Sequence, residues 1–182
     1  MSNIERLKTE QHKSTLDPVS KFLLEFSNQP IRALLIYLHK KIIPMYKKFD
    51  VGHQTEHVLG VIKWSSRIVN QLASKIPIDI NLMYTVAAFH DTGLKYGMAR
   101  HDKNVVKVIG EYKKDLAVWF SEKEIATIIE ACLYHDPKDG RKPRNIYGMI
   151  LYDAGIIQDG DDINALMIPD SKKIIKHKKS SK

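Results

Sequence analysis

The stretch Thr55–Ala73, "TEHVLGVIKWSSRIVNQLA", decides the fold class. Val58, Val61, Ile62, Ser65, Ile68, Val69 and Leu72 recur at intervals of three and four residues. That spacing lines them along one stripe of an α-helix, the pattern of a helix laid against a core. The same period runs outward in both directions. Upstream, "DPVSKFLLEFSN" offers Asp17 as an N-cap, a proline at the first helical position, and Val19, Phe22, Leu23 and Phe26 on one face. "PIRALLIYLHKKIIPMYKKF" starts at Pro30, and Pro44 should end or kink that helix. Downstream, Asp79 caps "INLMYTVAAFH", and "KNVVKVIGEYKKDLAVWF" reads as helix with Gly110 a weak spot. Ser121 and Glu124 form a capping box that opens "EKEIATIIEACLYH". "NIYGMILYDAGII" is short and apolar and reads as helix, with a strand as the alternative.

The expectation is an all-α protein: one compact domain of about six to eight helices over residues 17–170. A flexible N-terminus covers 1–16 and a basic tail 171–182. With 182 residues and 43% hydrophobic content, the chain can bury a real core. No apolar run reaches bilayer length, and the opening "MSNIERLKTEQHK" is polar. One cysteine, Cys132, excludes an internal disulfide. The expected setting is the cytoplasm, with no membrane partner. The formal charge of +8 suggests nucleic acid at first sight, but "SKKIIKHKKSSK" carries six lysines and no acid, which leaves +2 for the rest. A solvated tail accounts for the charge, and no specific nucleic-acid partner is expected.

Of the eight histidines, His12 and His177 lie in polar ends, and His39 sits among lysines at a helix terminus. His53, His57, His90, His101 and His135 fall near helix ends or turns. The doublet His90–Asp91 closes an apolar run. Neighbours on a helix point about 100° apart, so both reach one ion only where the helix ends, as Gly93 suggests. Asp153 follows the apolar "GMILY" and, near a core, needs a counter-charge. Imidazole and carboxylate groups on facing helices of a bundle can converge on one divalent ion.

"GHQTEHVLGVIKWSSRIV", "AAFHDTGL" and "YDAG", in that order, resemble the HD-domain metal-dependent phosphohydrolase superfamily. "IIPMYKKFDVGHQTEHV", "RHDKNV", "WFSEKEI" and "KPRNIYG" are similar in spacing to a group of small bacterial-type members. The resemblance runs from about Ile43 to Ile156. It implies a helical domain of the HD type, with His57, His90, Asp91 and Asp153 as metal ligands. Asp91, His101 and His135 take catalytic roles. Asp91 orients the attacking water, and His101 or His135 serves as general acid, completes a second metal site or contacts phosphate. Arg100 and Arg144 are the expected phosphate contacts, because guanidinium forks match phosphate oxygens.

The ligand set implies a divalent transition metal, namely Mn, Fe, Co, Ni or Zn. The implied substrate is a small phosphate ester or anhydride, a nucleotide by preference, and a homodimer is a further expectation. Relatives commonly read Asp-Ala-Asp-Arg where this chain has Asp153-Ala154-Gly155-Ile156. That departure supports an alternative: a metal- or nucleotide-binding module that has lost turnover.

Overall fold

The computed structural model describes residues 31–135 and 141–173. They include the α-helices α1 (Arg32–Lys41), α2 (Thr55–Leu72), α3 (Ile80–Phe89), α4 (His101–Leu116), α5 (Glu122–Leu133) and α6 (Ile146–Asp159), and residues 171–173 are helical as well. No strand occurs among the described residues, so the all-α expectation holds and the segment around Ile150 is helix. The N-terminal helix expected from Asp17, the flexible residues 1–16 and most of the lysine tail lie outside the described residues.

The helix boundaries follow local chemistry. Asp79 caps α3 by accepting from the backbone N–H groups of Asn81 and Leu82. Ser121 and Glu124 complete the capping box that opens α5. Pro44 ends α1 as expected, and the chain continues as a 3₁₀ segment, Ile43–Lys48, with the proline in its first turn. α4 begins earlier than the periodicity implied, at His101, and stops at Leu116, before the "AVWF" residues.

The bundle is built round α3, whose residues Leu82 to Phe89 are all buried. A helix apolar on every side belongs in the middle of a core. It is wrapped by α2, α5 and α6, and α1 touches it from outside. α2 turns the face carrying Val58, Val61, Ile62 and Ile68 inward, and α6 is the helix it packs against most extensively. Burying one such side chain contributes roughly 1.5–3 kcal/mol, and the core continues without a break from Leu34 to Ile168.

Two glycines set close approaches. At Gly93 an added Cβ would lie 1.9 Å from the carbonyl oxygen of His101, so the 3₁₀ segment Thr92–Tyr96 and the start of α4 meet backbone to backbone. The reason for this glycine is therefore contact between segments rather than a left-handed helix end. At Gly60 an added Cβ would overlap the amide of Gln158, which brings the last turn of α6 down onto the first turns of α2.

Candidate metal centre

The packing gathers several helix ends at one pole. His57 lies in the first turn of α2, and His90 and Asp91 follow the last residue of α3. His101 is the first residue of α4, and His135 comes just after α5. Asp91 is the hub, with its side chain 3% exposed. One carboxylate oxygen, Oδ2, lies 3.3 Å from His57 Nε2 and 2.9 Å from His90 Nε2. The other, Oδ1, lies 3.1 Å from His135 Nε2 and 3.5 Å from His101 Nε2. The five side chains thus form two triads that share Asp91, one with His57 and His90 and one with His101 and His135.

The end of α3 holds this hub in place. Buried carbonyls at a helix C-terminus need donors from outside the helix. Here the carbonyls of residues 86 to 89 each receive one from a side chain. Cys132 Sγ serves Val86, His90 Nδ1 serves Ala87, Tyr46 Oη serves Ala88 and Thr92 Oγ1 serves Phe89. The Tyr46 hydroxyl also accepts from the Asp91 backbone N–H at 3.2 Å. Asp91 itself has φ −102° and ψ 5°, the bridge region where many active-site residues sit.

The ring tautomers follow from these contacts. A carbonyl can only accept, so a ring nitrogen facing one must carry the proton. His90 Nδ1 lies 2.8 Å from Ala87 O, His135 Nδ1 2.6 Å from Cys132 O, and His101 Nδ1 3.2 Å from Met98 O. In each neutral ring, Nε2 then turns its lone pair toward Asp91. Burial lowers the pKa of His90 and keeps it neutral. His90 Nε2 nevertheless lies 3.2 Å from His57 Nε2 and close to a carboxylate. Lone pairs packed this closely need positive charge between them. A divalent ion fits this donor set of imidazole nitrogens and carboxylate oxygens.

In the metal-free chain a proton on His57 meets part of that need. Burial disfavours its charged form, but hydrogen bonds to Asp159 and Asp91 outweigh burial and push its pKa up to about 9. Burial would raise the Asp91 carboxyl, but the protonated His57 ring beside Oδ2 holds it well below the usual carboxylate range.

Asp153 does not join this centre, which corrects the expected last ligand. Its carboxylate is fully buried and accepts from the backbone N–H groups of Met167 at 2.8 Å and Ile168 at 3.0 Å. Burial raises its pKa despite these bonds. The reason it misses the centre is helical phase. Residues two apart differ by about 200° around the axis, and the α6 residues that line the cavity are Leu151, Gly155, Ile156 and Asp159, not Asp153.

The cavity over the centre has a volume of about 230 Å³ and is lined by the four centre histidines, Asp91, His53, Asp159 and Asp161 among others. Neither Arg100 nor Arg144 lines it. Arg100 is exposed, in a left-handed backbone conformation (φ 62°) just before His101. The Arg144 guanidinium lies 4.8 Å from the centre of the Tyr134 ring. Arg141 instead pairs with Asp102 at the start of α4. His53, the weaker ligand candidate of its pair, lines the cavity but belongs to neither triad. Its Nδ1 is tied to Asp50 at 2.8 Å.

Sequence reasoning missed Tyr46 and Asp159. No local signal marks Tyr46, which acts across 45 positions of chain on Asp91. Asp159 had a trace, as an acid one turn beyond Gly155 on the helix that carries Asp153.

The HD domain family matches residues 55–165, a span that takes in all five side chains of the centre. The chain belongs to the HD domain family, a superfamily of metal-dependent phosphohydrolases. Neither the curated proteins nor the solved structures contain a match. No helix among the described residues is long and apolar enough to cross a membrane.

Proposed function

We propose that this chain is a metal-dependent phosphohydrolase acting on a small phosphate ester or anhydride, with nucleotides the first class to test. The observation that carries the reading is Asp91, whose two oxygens each face two histidine Nε2 atoms. That layout suits a pair of divalent ions with Asp91 between them, one held by His57 and His90 and the other by His101 and His135. Bound there, divalent ions would acidify a water and neutralise charge on a phosphoryl group.

The chain's own residues divide the remaining work. Asp91 stays ionised and holds both sets in register. His90, His101 and His135 keep Nδ1–H on backbone carbonyls, which fixes Nε2 as the ligating atom. His101 and His135 turn the same nitrogen to the centre, so the general-acid role expected of either one passes to another group. His53 is our choice. It lines the cavity outside both triads, and Asp50 orients its ring as a carboxylate orients a catalytic histidine. A proton on His53 Nε2 would go to the departing oxygen. The cavity is smaller than the ~300–1,000 Å³ of sites that enclose a whole drug-sized ligand. The phosphoryl end therefore sits inside and the rest of the substrate leans out.

The test is a panel of nucleoside mono-, di- and triphosphates and simple phosphate esters, assayed with Mn²⁺, Co²⁺ or Zn²⁺. Phosphate or nucleoside release that is lost in Asp91→Ala and in His90→Ala supports the reading. Silence across the panel with every metal sinks the enzyme and leaves the second reading, a binding module without turnover. One observation favours that second reading. Gly155 lines the cavity with nothing within 4 Å of where a Cβ would sit, and it occupies the position where relatives commonly carry an acid.

A further inference from the structure

We infer that Asp159 is the positioning residue for His57, whose ring it anchors through Nδ1. The inference rests on the metal-centre reading above and assigns this chain a contact within it. Three of the four centre histidines settle Nδ1 on a backbone carbonyl three residues earlier: His90 on Ala87, His101 on Met98 and His135 on Cys132. His57 departs from this habit. The carbonyl three residues before it, on Gln54, already accepts the backbone N–H groups of His57 and Val58. Its Nδ1 instead lies 3.2 Å from Asp159 Oδ1, on another helix.

Helix stability does not explain an acid at this place. Asp159 is the last residue of α6, where the negative end of the helix dipole disfavours a carboxylate. The helix is ended by Gly160, left-handed at φ 77°, with its N–H on Ile156 O. Asp159 arrives at His57 because Gly60 lets Gln158, its neighbour in the chain, lie directly over α2.

The consequence for the site is specific. A carboxylate on Nδ1–H selects the tautomer in which Nε2 ligates, holds the ring plane and raises the basicity of Nε2. Asp159 side-chain exposure is 49%, so replacing it disturbs little of the core. It also lines the cavity from α6, one turn beyond Gly155.

The experiment measures Zn²⁺ affinity of the full chain by competition with a chromogenic chelator. It compares wild type, Asp159→Ala, Asp159→Asn and the control His90→Ala. Ring-nitrogen NMR of the zinc-loaded protein reads the His57 tautomer. We expect Asp159→Ala to weaken zinc binding by about 10–100-fold, and Asp159→Asn, which keeps an acceptor, by no more than about threefold. His57 should keep its proton on Nδ1 in wild type and in Asp159→Asn, and lose that preference in Asp159→Ala. The metal-free melting temperature of Asp159→Ala should fall by no more than about 2 °C.

If Asp159→Ala binds zinc like wild type while His90→Ala does not, the inference is overturned and the metal centre stands. If Asp159→Asn is as weak as Asp159→Ala, Asp159 is itself a ligand and the positioning role is wrong. If wild type binds no zinc, the centre falls and takes the inference with it.

Discussion

Asp91 and Asp153 are both buried acids on the inner side of the bundle, and their partners give them opposite tasks. Asp91 faces four ring nitrogens that cannot satisfy it without shared positive charge. Asp153 is satisfied by two backbone N–H groups and secures the segment that follows α6. Replacing Asp153 with alanine should therefore cost about 3 kcal/mol of stability, read by urea unfolding, because hydrogen bonds to a charged group contribute ~1.5–3 kcal/mol each. Zinc affinity of the same variant should match wild type. His57 sets a pH dependence. Its folded pKa of about 9 stands above the ordinary histidine value of 6.5, so its contribution is fully present below 6.5 and is lost as pH rises through 9. Metal-free protein should lose unfolding free energy across that window. Zinc-loaded protein should not, because the ion has replaced the Nε2 proton. The expectation of Asp153 as a ligand comes from the family resemblance, added to an acid made conspicuous by the apolar run before it. Which face of α6 it occupies depends on how that helix packs.

At the scale of elements, the helices were legible because amphipathic spacing and capping residues are local. The stripe from Val58 to Leu72, the Asp79 cap and the Ser121–Glu124 box all act within a turn or two of chain. The start of α4 was misjudged because it depends on contact with the 3₁₀ segment at Gly93, which no short window contains. Gly93→Ala forces a Cβ onto the His101 carbonyl. It should cost about 3 kcal/mol, the upper end of ordinary overpacking, and show as a lower urea midpoint with weakened zinc binding. Tyr46→Phe removes the donor to Ala88 O and the acceptor for Asp91 N–H. Leaving two buried backbone groups unpaired should cost about 2 kcal/mol, measured in the same way.

For the whole molecule, an ion at this pole would tie together the starts of α2 and α4 and the ends of α3 and α5. Ion binding to the folded state alone should stabilise it by about 2.7 kcal/mol at a free concentration a hundredfold above Kd. For a chain of this size that is roughly 5–10 °C in Tm, reversed by EDTA in a thermal scan. The arrangement at the end of α3 also bears on the order of assembly. Its carbonyls draw Tyr46 from one half of the chain and Cys132 from the other. The His-Asp doublet therefore gains its working shape only when both flanks have docked. Hydrogen exchange at the Asp91 amide should track complete unfolding rather than local fraying, and a proteolytic piece lacking either flank should retain the doublet yet capture no zinc.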